Sequence, residues 1–145
     1  LYSYRIEMTG QSHRQALMLA MQRDLETFSG HYGTVENRPA KVLELVVTDQ
    51  RKATLLKSSS ETYENIGDRT FRKSRKTSIA QLIGMFAGEF QQWPILDRTG
   101  IADPIDIDLE ANMTSLPSLR MALQTRGLDL RPAERLLLTL VIRKK

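Results

Sequence analysis

Asp97, Asp103, Asp106, Asp108 and Glu110 crowd five carboxylates into fourteen residues of a 145-residue chain. Asp106, Asp108 and Glu110 alternate with Ile105, Ile107 and Leu109. In an extended strand the three acids therefore share one face, with neighbours about 6.5 to 7 Å apart. Such a row can gather a hard cation such as calcium, or divide acid and base roles in a hydrolase. It can equally be the solvated face of an amphipathic strand, answered by Lys or Arg across the sheet. The second account is preferred: there is no glycine-bearing EF-hand loop, and a regular strand spaces ligands poorly around one ion.

Arg69, Arg72, Lys73, Arg75 and Lys76 put five of the 21 Lys and Arg residues into eight positions, with Phe71 among them. That segment can grip phosphates, Phe71 offering a stacking face, or meet an acidic protein partner or another anion. No recognised nucleic-acid motif accompanies it and the net charge is only +4. A solvated loop is therefore the plainer account and nucleic acid the lesser one, while an acidic protein partner or an anionic surface would use the same residues.

The remaining chemistry is narrow. His13 and His31 are the two histidines, and there is no cysteine. Disulfides, thiolate zinc sites and a thiol nucleophile are excluded, and no His pair stands at ligand spacing. No Gly-x-Ser-x-Gly occurs to suggest a nucleophile elbow. No catalytic, cofactor or metal residue is assigned. Gly84 and Gly88 are read as close packing of a helix on a sheet, and Trp93 before Pro94 as a core or rim aromatic.

The positioning elements follow from periodicity. Hydrophobic residues at 41% and charged residues at 26% are ordinary for a globular chain. No apolar run approaches the roughly 20 residues that span a bilayer. Tyr2, Tyr4, Ile6 and Met8 alternate with polar residues, which predicts a strand over residues 1–8. Ser12 and Gln15 have capping-box spacing, Leu17, Met21, Leu25 and Phe28 repeat helically, and Gly30 supplies a stop. Residues 32–37 and a second strand with Leu43, Leu45 and Val47 on one face then predict a hairpin turning at Arg38-Pro39-Ala40.

The same β-α-β-β order returns in residues 104–145. There a helix starts near Ser115, with Pro117 in its first turn and Leu116, Leu119 and Leu123 on its apolar face. Gly127 stops it, and a hairpin over residues 128–130 and 136–143 turns at Arg131-Pro132-Ala133. The expectation is a duplication, with residues 1–49 matching 104–145. Between the copies, residues 50–76 read as a long polar loop with at most a short strand. Thr77 or Ser78 caps a helix over residues 77–90, with Ile79, Leu82, Ile83, Phe86 and Phe90 on one face, and residues 94–97 form a short strand. Residues 136–142 are apolar on both faces except Thr139, as in a central strand. The whole reads as one α+β domain over residues 1–145, a mixed and mainly antiparallel sheet with helices packed on it. Its core is expected at Leu25, Phe28, Leu45, Ile83, Phe86, Ile107, Leu123 and Leu138.

Thr77-Ser78-Ile79-Ala80-Gln81-Leu82, then Pro94-Ile95-Leu96-Asp97-Arg98-Thr99-Gly100-Ile101, Ile105-Asp106-Ile107-Asp108-Leu109 and Gly127-Leu128-Asp129-Leu130 carry a resemblance. The chain resembles an uncharacterised bacterial domain family expanded in soil Acidobacteria and found fused to thioredoxin-like or redoxin proteins in Bacteroidetes. A weaker match runs through residues 42–47 and Leu55-Leu56-Lys57-Ser58. Asp103, Ile105 and Ala133-Glu134-Arg135 depart from the pattern, at turn and packing positions. The resemblance implies fold and context and brings no catalytic residue or cofactor.

The functional expectation is a non-enzymatic accessory or interaction domain, working on a protein partner or another domain of its own polypeptide. The resemblance implies the C-terminal part of an exported or membrane-associated bacterial protein, in the periplasm or cell envelope. The start at Leu1, inside a predicted strand, adds the expectation that the natural protein extends upstream. The alternatives are a carboxylate hydrolase or metal-binding protein using residues 97–110, and nucleic-acid binding through residues 69–76.

Overall fold

The computed structural model describes residues 14–28 and 30–144. The strand predicted over residues 1–8, the cap at Ser12, His13 and the side chains of Leu25 and Phe28 lie outside the described residues. The elements run α1 (Arg14–Phe28), β1 (His31–Val47), α2 (Gln50–Thr54), β2 (Glu64–Gly67), β3 (Phe71–Thr77), α3 (Ile79–Ala87), β4 (Ile95–Asp97), β5 (Ile105–Glu110), α4 (Leu116–Thr125) and β6 (Leu128–Lys144). This is an α+β fold with two three-stranded sheets, ordered β4-β1-β6 and β2-β3-β5. Among the described residues no helix is long and apolar enough to cross a membrane.

The chain divides into two compact units, one drawn from Leu1–Ala40 and Arg135–Lys145, the other Lys41–Glu134. In the first, α1 comes close to β1 at Gly33, where an added Cβ would lie 3.0 Å from Leu140 and 3.5 Å from Gln22. Glu36 ties this unit's strands together: Thr34 Oγ1 donates to it at 2.6 Å, and Arg143 reaches it at 2.7 Å. These donors, with Arg38, outweigh burial and hold the Glu36 carboxyl at about 2.

The second unit holds the core. Leu43 and Leu45 of β1, Ile79, Leu82 and Phe86 of α3, Ile105, Ile107 and Leu109 of β5, Leu119 and Leu123 of α4, and Leu128 and Leu130 of β6 are all buried. Local chemistry starts each helix. Ser78 Oγ accepts from Gln81 N while Gln81 returns its side chain to Ser78 N, a complete capping box. Ser115 caps α4 ahead of Pro117. β4 pairs parallel with β1 from Leu43↔Ile95 to Leu45↔Asp97. β2 and β5 flank β3, both antiparallel to it.

Several expectations change. Neither Pro39 nor Pro132 makes a turn: each lies inside a single 17-residue strand, so β1 and β6 replace the two predicted hairpins. Proline's fixed φ is compatible with extended backbone, and both prolines are exposed. Helix, left-handed glycine and long strand do occur twice, with Gly30 at φ 64° and Gly127 at φ 79°. Pro39 follows Gly30 by nine residues and Pro132 follows Gly127 by five, so the glycines and prolines of the two halves do not match in one ungapped register, and the duplication is not confirmed. Among the described strands β6 lies at an edge and β1 is central. Leu136 and Ile142 of β6 are exposed and Leu138 half-buried, against the expected covering of both faces.

The predicted loop over residues 50–76 contains α2, β2 and β3. Asp49 caps α2 by accepting from the N–H groups of Arg51 and Lys52. β3 escapes detection because its inward residues include Ser74 and Thr77, polar yet fully buried. Gly84 and Gly88 are exposed; a Cβ at Gly84 would meet nothing within 4 Å, so close packing does not explain it. Of the other expected core residues, Leu45, Phe86, Ile107 and Leu123 are buried and Ile83 is half-buried. Trp93 is half-buried against the core.

Candidate functional site

β5 presents Ile105, Ile107 and Leu109 to the core and turns its three carboxylates to the other face of the sheet. Each acid meets different company. Asp106 accepts from Ser58 Oγ at 2.6 Å, Ser60 Oγ at 2.7 Å, Lys76 N at 2.8 Å and Ser59 N at 3.4 Å. Burial pushes its pKa up, but donors that favour the ionised form together outweigh burial and hold it at about 2 against an ordinary 3.8. Asp108 takes the Arg75 fork, Nη1 at 2.7 Å and Nη2 at 2.9 Å, and that pairing lowers its pKa. Glu110 lies in register with Phe71.

The outlying acids are engaged elsewhere. Asp97 accepts from Thr99 N at 2.8 Å and Thr99 Oγ1 at 2.7 Å, which shapes a turn. Asp103 pairs with Lys57 at 3.0 Å, both side chains being exposed. The five carboxylates do not converge. Among the described residues no group of three or more acids or histidines is placed to hold a metal ion. His31 opens β1, in the other unit from the acidic strand.

The basic run is divided by β3. Arg72 and Ser74 lie in register with Leu109 and Ile107, on the core side. Arg72 directs Nη1 toward Asn65 Oδ1 at 3.4 Å, and its Nε is buried with no hydrogen-bond partner. Lys73 lies opposite Asp108 and pairs with Glu64 at 3.4 Å. Arg75 serves Asp108, and Lys76 Nζ donates to the Glu61 carbonyl at 2.7 Å. Arg69 is exposed, its carbonyl accepting from Met113 N at 2.8 Å. The outer face of the sheet thus alternates in sign, Glu64 and Asp108 flanking Lys73 and Arg75, and is not a continuous basic surface.

Asp106 and Asp108 line a cleft of ≈ 350 Å³ with Lys52, Leu55, Arg75 and Arg126. Of the five clustered carboxylates, Asp106 and Asp108 line it. Sequence reasoning did not anticipate Lys52 and Arg126, which come from α2 and the end of α4. It also passed over Asp129, 2% exposed and held by Arg120 and Arg131. An acid between Leu128 and Leu130 was the available signal, since a strand buried on both faces leaves no solvent for it. No family model matches the chain, and neither a curated protein nor a solved structure matches it.

Proposed function

We propose that this chain is a non-enzymatic interaction domain, an accessory to a protein partner or to another domain of its own polypeptide. One observation carries the reading: the acids and bases with the best spacing for chemistry are fixed by one another or by backbone and serines. Asp106 is cradled by Ser58, Ser60 and Lys76 N, and Asp108 is locked to Arg75. A carboxylate with its pKa lowered in this way is a poor proton acceptor near neutral pH. The family resemblance supports a place in an exported or membrane-associated bacterial protein, in the periplasm or envelope, with a thioredoxin-like domain as a candidate neighbour.

The rival reading, a carboxylate hydrolase or cation-binding protein, is favoured by the shared opening of Asp106 and Asp108 into one cleft. Calorimetric titration with calcium, magnesium and zinc separates the two. The interaction reading expects no site tighter than millimolar. A stoichiometric micromolar site lost in both Asp106→Ala and Asp108→Ala would replace it with the rival.

A further inference from the structure

The cleft lies where the covering of an edge strand stops. Among the described strands β5 is at the edge of the β2-β3-β5 sheet. The chain covers only the beginning of that edge. Lys57 bridges antiparallel to Ile105, Ser58 N donates to the Pro104 carbonyl at 2.9 Å, and Asp106 N donates to the Leu56 carbonyl at 2.8 Å. Leu56 already belongs to the turn after α2, its own N–H donating to Ala53, so the pairing ends there. Farther along, the Asp108 carbonyl is met by a side chain, Arg126 Nε at 3.1 Å. Exposed strand edges are templates for another strand.

The cleft's chemistry selects the kind of strand. Its acids are already engaged, Asp106 by hydroxyls and backbone and Asp108 by Arg75. Lys52 and Arg126 line it too, and neither forms an ion pair among the described residues. Leu55 stands at its mouth 84% exposed, beside buried Leu56. A cationic, partly apolar groove along a free strand edge suits an extended chain carrying carboxylates and aliphatic side chains.

We propose that an acidic, extended peptide segment of a partner protein adds to the β5 edge in this cleft, continuing the ladder that residues 56–58 begin. A partner N–H takes over the Asp108 carbonyl, which releases the Arg126 guanidinium to pair with a partner carboxylate. Lys52 meets a second carboxylate, and an aliphatic side chain covers Leu55. This rests on the interaction-domain reading and gives it a surface and a partner chemistry.

The test is fluorescence anisotropy of the whole 145-residue chain with three short labelled peptides. One alternates Glu and Val, one has Lys in place of each Glu, and one is the Glu peptide N-methylated at alternate amides. The Glu peptide should bind saturably, and the other two at least tenfold more weakly. Lys52→Glu and Arg126→Gln should each weaken the Glu peptide at least tenfold. Lys52→Glu, on an exposed helical position, keeps the test open should Arg126→Gln fail to fold by circular dichroism. Equal binding of the three peptides, or binding indifferent to Lys52→Glu, would overturn the proposal. So would an oligothymidylate that binds more tightly than the Glu peptide and is lost in Lys52→Glu. Absence of peptide binding to folded protein overturns this edge site alone, whereas the cation titration above is what overturns the interaction reading.

Discussion

Lys76 holds a left-handed backbone, φ 48°, and its N–H donates to the Asp106 carboxylate at 2.8 Å. Among the described residues it is the one non-glycine with positive φ. It sits where the register of β3 against β5 shifts, between Ser74 and Thr77. A left-handed L-residue costs about 1 to 2 kcal/mol. The hydrogen bond to an ionised acceptor, and Lys76 Nζ on the Glu61 carbonyl at 2.7 Å, offset that strain. The bulge in β3 and the acid on β5 therefore form one device, in which Asp106 also gathers Ser58 and Ser60.

Removing the acceptor should show it. Asp106→Ala leaves two hydroxyls and a strained N–H without their common partner and is expected to cost about 2 kcal/mol. Asp106→Asn, which keeps one carbonyl oxygen, should cost less. Lys76→Gly should lie within about 1 kcal/mol of the parent, because relief of strain and added unfolded-chain entropy oppose each other. Urea denaturation measures all three. An Asp106→Ala variant as stable as the parent would show that the cradle does not hold the bulge.

What the sequence displayed depended on how local each cause was. A cap at Thr77 or Ser78, and Ser115 with Pro117, were readable because a helix start is decided within four residues, and Ser78 proves to be the cap. The β5 alternation was equally plain. The partners of Asp106 were not, since Ser58, Ser60 and Lys76 lie 48, 46 and 30 residues away. Arg-Pro-Ala was a reasonable turn signal, but proline fixes only φ, and the pairing of long strands decided the rest. β3 was missed because fully buried Ser74 and Thr77 give no apolar alternation. Asp129 was passed over because one of its partners, Arg120, comes from a different element, α4.

Glycines of two kinds should separate cleanly. Gly127 has φ 79°, and an added Cβ would stand 2.5 Å from the Asp49 carbonyl oxygen and 2.7 Å from Lys52 Cβ. Its own carbonyl accepts from Thr48 N at 2.8 Å, docking the end of α4 onto the end of β1. Gly127→Ala is therefore strained twice and should cost at least about 2 kcal/mol. Gly84, inside α3 with open space around it, should gain roughly 0.5 to 1 kcal/mol on changing to Ala. Thermal melts of both variants test this, and a neutral Gly127→Ala would mean that the helix end is not docked as described.

Truncations at Leu45, Phe86, Ile107 and Leu123 probe the core of the second unit, where all four are buried. Each change to Ala should cost on the order of 2 to 5 kcal/mol. Ile83→Ala, half-buried on the same helix as Phe86, should cost less than Phe86→Ala. The reverse order in chemical denaturation would show that α3 packs through a different face.

Acid should weaken the fold through Asp129. Burial pushes its pKa up, but Arg120, approaching at 3.0 Å through both Nε and Nη2, and Arg131, at 3.0 Å, more than reverse this. The result is about 2, against an ordinary 3.8. A folded-state pKa below the unfolded one contributes stability that is full above the unfolded value and is lost as pH falls through the folded value. At 1.36 kcal/mol per pKa unit, the Asp129 contribution is about 2 kcal/mol. Asp106, also held at about 2, acts in the same direction over the same range. Urea midpoints should therefore stay flat from neutrality to about pH 5 and fall between there and about pH 2. Asp129→Asn should be less stable than the parent at neutral pH, because two guanidiniums lose their anion, and its stability should fall less steeply with acid. A variant whose acid slope equals the parent's would remove Asp129 from the account and leave the acid sensitivity to Asp106 and the other pKa-lowered carboxylates.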